Sequence, residues 1–143
     1  MPIRSLLKVL SPAGSRARLS IFIGHRVLPE PDLMFPGELF AARFELTLEW
    51  ISRWFNVLPL AEAVRRMEQG DLPERAAAIT FDDGYADNLT VAAPLLSRRG
   101  MCATFFVASG YLDGGRMWND GIIEAVRRSP LTDLDAGPWG RHP

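Results

Sequence analysis

Ala77-Ala78-Ile79-Thr80-Phe81-Asp82-Asp83-Gly84-Tyr85 decides the fold. Its first five residues carry no charge and include the β-branched Ile79 and Thr80, which predicts a short buried strand. Two adjacent carboxylates, Asp82 and Asp83, end it. Gly84 then permits a turn through dihedrals that a Cβ would penalise. Tyr85, Leu89, Ala92 and Leu96 follow at helical spacing. Acids at the C-terminal end of a buried parallel strand stand where α/β folds place their chemistry.

Neighbouring like charges need a cation, hydrogen bonds or a shifted pKa to offset their repulsion. One reading makes one carboxylate a metal ligand and the other a general base. The other makes them a strand-end pair, one capping the next helix and one solvated.

Outward from this stretch, strands and helices alternate. Residues 19–23 read as the first strand, running into Gly24 and His25. An imidazole at a strand exit is either a hydrogen-bonded core or rim group or a proton carrier. Pro29, Pro31, Pro36 and Gly37 predict a loop, with Met34 and Phe35 packed beneath it. Phe44, Leu48, Ile51 and Phe55 form one stripe of a helix over 42–55, widened by Trp50 and Trp54. A strand over 56–58 leads to Pro59, which starts a helix with Leu60, Ala63, Val64 and Met67 inward and Gly70 at its end. Pro94 marks a kink or restart in the helix after the acid pair. Residues 102–107 read as a fourth strand, too uniformly apolar to be half-exposed. Asn119 or Asp120 caps a last helix with Ile122, Ile123 and Val126 inward. The alternation predicts a parallel α/β sheet.

Thr80-Phe81-Asp82-Asp83-Gly84-Tyr85 resembles the first signature motif of the polysaccharide deacetylases, the NodB homology domain of carbohydrate esterase family four. Gly24-His25-Arg26-Val27, Val57-Leu58-Pro59-Leu60, Ala103-Thr104-Phe105-Phe106-Val107 and Met117-Trp118-Asn119-Asp120 agree with it. The resemblance implies a partial distorted (β/α) barrel of the NodB, glycoside hydrolase-deacetylase type. It implies a 1–18 extension, a 19–130 N-terminal part of the domain, and a loop-like tail over 131–143. It implies removal of N-acetyl groups from an N-acetylated polysaccharide or oligosaccharide with a divalent metal, zinc by ligand chemistry. Asp83 is then the metal ligand, Asp82 the general base, His25 a proton donor and Tyr85 a substrate contact. Family members often carry Tyr-His where this chain has Gly24-His25.

The family's second motif, His-Ser/Thr-x-x-His, is not in the sequence, whose two histidines are His25 and His142. A full barrel of this type takes roughly 250 residues, and this chain has 143. The sequence therefore predicts an incomplete domain, inactive alone, with an exposed sheet edge open to self-association. A non-catalytic remnant that binds carbohydrate or a partner is the competing reading. Phosphotransfer fits poorly, because no Asp-x-Asp or Gly-rich phosphate loop is present.

A net charge of −1 gives no general excess for nucleic acid. Cys102 is the single cysteine, so no intrachain disulfide forms, and it reads as a buried inert thiol. Lys8 interrupts the apolar residues 6–10, which therefore fall short of the about 7–15 unbroken apolar residues of a leader peptide. They read as a short surface helix or a frayed end. No stretch reaches the ~20 apolar residues of a membrane span, and a cytoplasmic location is the expectation.

Overall fold

The computed structural model describes residues 3–131, 133–135, 137–139 and 141–142. The chain divides into two units, Met1–Ala108 and Ser109–Pro143.

The first unit is built on strand β3, Ala76–Phe81, which is buried along its whole length. Its run of Ala and β-branched residues suits a strand covered on both faces. β1, Ser20–Gly24, pairs with it in parallel from Ser20 opposite Ala77 to Gly24 opposite Phe81. Along the other edge, β2 (Asn56–Val57) pairs with the start of β3 and β4 (Thr104–Phe105) with its end. The parallel α/β sheet expected from the alternation is therefore present, with β3 at its centre.

Helix α1 covers Ile3–Leu10, as a short surface helix. Helix α2, Ala41–Trp54, lays Phe44, Leu48 and Ile51 on the core with Val27, Ile79 and Phe81. Phe22 meets Phe55 edge-on at 5.1 Å, and Phe44 meets Phe81 the same way at 5.7 Å. Such pairs add about 0.5–1.5 kcal/mol beyond their burial. Trp50 does not widen this face; it is 67% exposed, because its position on the helix turns it away from the sheet. Helix α3, Leu60–Gln69, ends at Gly70 in the left-handed conformation, as expected. Only Ala63 of its expected stripe is buried, against Leu72 and Ala76; Val64 and Met67 are exposed. The chain between β3 and β4 runs as a π turn over Asn88–Ala92, then helix α4, Ala93–Arg98. Pro94 sits in the first turn of α4, so it restarts the helix. The wider π turn carries Leu89 outward, to 77% exposure, away from the stripe expected of it.

Three further expectations are corrected. Phe105, Phe106 and Val107 are partly exposed: β4 spans only Thr104–Phe105, and Phe106 and Val107 run beyond it. Met34 and Phe35 are also exposed to about that extent, in a loop closed by a bridge between Leu28 and Phe40. Cys102 is half-buried.

The second unit holds a one-turn 3₁₀ segment, Ser109–Tyr111, helix α5, Trp118–Arg127, and a two-residue antiparallel ladder between Leu134–Asp135 and Arg141–His142. Met117 occupies the α5 N-cap without a side-chain bond, ahead of the Asn119 or Asp120 expected there. Ile122 and Val126 are exposed; among the described residues this unit offers no broad layer for them to cover.

Candidate active site

Parallel pairing brings the ends of β1 and β3 together. Gly24 lies opposite Phe81, and the ladder continues one step further: the Asp82 N–H donates to the Gly24 carbonyl at 2.9 Å. His25 and Asp82 are thus the first residues beyond adjacent strand ends. Asp82 and Asp83 are half-buried and His25 is exposed.

The turn after them is under backbone constraint. Asp83 has φ 71° and Gly84 has φ 71°, two left-handed residues in succession. Gly84 was expected to turn here; the left-handed Asp83 was not. Asp tolerates this region better than most residues, yet strain of about 1–3 kcal/mol persists only where the surroundings enforce it. They do so by close approach: a Cβ on Gly84 would lie 2.8 Å from Val107 Cγ1 and 3.2 Å from its Cα. The Ala108 N–H donates to the Asp83 carbonyl at 3.3 Å. The segment following β4 therefore clamps the acid turn from one side.

From the other side, the clamp is ionic. Asp87, 8% exposed, accepts the Val27 N–H at 3.1 Å on Oδ1 and the Arg26 Nε–H at 2.9 Å on Oδ2. The Arg26 guanidinium carbon lies 4.6 Å from the centre of the Tyr85 ring, a cation–π contact. His25 is thereby fixed within a segment tied to the turn that bears both acids. Sequence reasoning assigned no role to Arg26 or Asp87. The available signal was that Asp87 is the sole charge between Tyr85 and Leu96, in an apolar helical pattern. Asn88 beside it is 4% exposed, and neither its Oδ1 nor its Nδ2 has a hydrogen-bond partner among the described residues.

Residues 69–129, which contain β3, the acid turn, α4 and β4, match the family model described as polysaccharide deacetylase. That segment is similar to the polysaccharide deacetylases. The deacetylase resemblance extends to a candidate polysaccharide deacetylase of Bacillus subtilis (strain 168), YxkH, 34% identical over 93 residues, 64% of this chain and 32% of that protein. Three solved structures share the fold. A de-N-acetylase from Aggregatibacter actinomycetemcomitans aligns over 87% of this chain and 61% of its own, with a TM-score of 0.61 and 21% identity. IcaB from Ammonifex degensii aligns over 82% and 50%, at 0.59 and 25%. The Streptococcus pyogenes deacetylase PplD, solved with acetate, aligns over 76% and 52%, at 0.60 and 20%. The chain thus spans between about a third and three-fifths of the length of these relatives.

A metal site of this deacetylase type requires three protein ligands with an open position. Among the described residues no three His, Cys, Asp or Glu side chains are grouped closely enough to hold an ion. The acid turn offers Asp83 as a donor, and this is not a zinc site by itself.

Proposed function

We propose that this chain supplies the carboxylate corner of a metal-dependent hydrolase that removes N-acetyl groups from amino-sugar polymers. The carrying observation is the juxtaposition of His25 and Asp82 through the Asp82 N–H bond to Gly24, within the family-matched segment. Asp83 is one ligand of a divalent ion, zinc by preference, whose other ligands lie outside the described residues. The bound ion would polarise the acetyl carbonyl.

The chain's own residues carry the protons. Asp82 takes the proton of the attacking water as its oxygen bonds the acetyl carbon. The carbon–nitrogen bond then breaks, His25 delivers a proton to the departing amine nitrogen, and acetate leaves. Tyr85, with Arg26 against its ring, offers a rigid apolar contact to the sugar beside the acids.

Reading the coding DNA past codon 143 in all three frames tests the metal part of this assignment. A downstream His-Ser/Thr-x-x-His motif is the expected result. Unrelated sequence in every frame would contradict it and favour a non-catalytic binding remnant.

A further inference from the structure

We propose that α1 and the segment around Arg16 and Arg18 form a docking surface for an anionic lipid bilayer. The first 29 residues contain Arg4, Lys8, Arg16, Arg18 and Arg26 and no Asp or Glu, although the whole chain is close to neutral. On α1 the side chains separate cleanly by angle. Ile3, Leu6, Leu7, Val9 and Leu10 fall on one arc, Arg4, Ser5 and Lys8 on the other.

Only Leu7 of that apolar arc is partly buried; Ile3, Leu6 and Leu10 are 51–58% exposed and Val9 is 75% exposed. The helix therefore turns its apolar stripe away from the protein. Beside the stripe, Lys8, Arg16 and Arg18 converge with Val9, Leu10 and Pro12 around a cleft of about 400 Å³. Lys8 shares its charge with Glu74 at 3.1 Å, which leaves the two exposed arginines as the principal cations there.

Cations bordering an exposed apolar stripe match the boundary between phosphate headgroups and acyl chains. Nucleic acid would use the charge and leave the stripe in water. A partner protein would have to supply both acids and an apolar groove. No helix among the described residues is long and apolar enough to cross a membrane, so the contact is interfacial.

The test is co-sedimentation of the chain with vesicles of phosphatidylglycerol in phosphatidylcholine, against pure phosphatidylcholine vesicles and against duplex DNA. Binding to the anionic vesicles is expected, with strong weakening in high salt. Arg16→Ala with Arg18→Ala should weaken it roughly 30-fold. Leu6→Asp with Val9→Asp should abolish it. All four positions are exposed, so both variants keep the fold, which far-ultraviolet circular dichroism checks. Four results would overturn the proposal: no vesicle binding, equal binding to neutral vesicles, sedimentation without vesicles, or DNA binding with no vesicle binding.

Discussion

At the scale of single residues, Gly24 is a position where the chain has room for no side chain. A Cβ on Gly24 would lie 2.9 Å from Phe81 Cε1. The Phe81 ring is 1% exposed and stacked on Phe105 at 5.3 Å, contacts that resist its moving aside. Gly24→Ala should lower stability by about 1–3 kcal/mol, read from denaturant unfolding; an unchanged midpoint would mean the ring yields. Asp83 separates folding from function. Its left-handed backbone suits Asn as well as Asp, so Asp83→Asn should melt within a few degrees of the parent. Asp83→Val puts a β-branched residue there and should melt clearly lower. A large loss of stability in Asp83→Asn would show that the carboxylate is needed for folding itself.

At the scale of elements, the clamp between β1 and the acid turn depends on Asp87. Asp87→Ala leaves the buried Val27 N–H unpaired and releases Arg26 from its 2.9 Å partner. A cost of about 2–4 kcal/mol follows, and Asp87→Asn, whose carbonyl can still accept from Val27, should recover part of it. Equal losses in both variants would point to the charge pair alone. On α3, Glu62 is held below its ordinary pKa of 4.5, first by the Arg66 guanidinium and then by Arg65. A depressed carboxyl stabilises the fold above its unfolded pKa and loses that contribution as pH falls through the folded value. Thermal melts of the parent and Glu62→Gln should therefore differ slightly at pH 6 and converge as pH falls below the folded-state pKa of Glu62. Because Glu62 faces solvent, the difference should also shrink in high salt. A difference that does not shrink at all as pH is lowered would mean Glu62 acts through something other than its charge.

The sheet and its parallel sense were legible in the sequence, because β3 is uniformly apolar and the acids end it abruptly. So were α2's buried stripe, the Gly70 cap and a break at Pro94, which the sequence left open between a kink and a restart. The exposure of Val64, Met67 and Phe105–Val107 was not legible. Periodicity tells which residues share a face, and cannot tell whether anything covers that face. At the site, the motif and the strand exit at His25 were readable from the chain alone. The left-handed Asp83 and the Arg26–Asp87 pair were not, since both arise from contacts between segments distant in sequence.

At the scale of the whole molecule, β1 is paired along one edge among the described residues, and its own Ile21 and Ile23 are 47% and 66% exposed. The acid corner is built, yet the described residues do not surround it with a ligand set. The 143-residue chain should accordingly release no acetate above blank from N-acetylglucosamine oligomers with added zinc. Robust release would contradict the incompleteness of the site. The measurement that bears most directly on the central claim is acetate release by the gene's natural product, as parent and as Asp82→Asn. Metal-dependent release that falls about 10²–10⁴-fold in the variant is the predicted result. A parent without activity, or a variant as active as the parent, would contradict the assignment of this turn as the catalytic corner of a deacetylase.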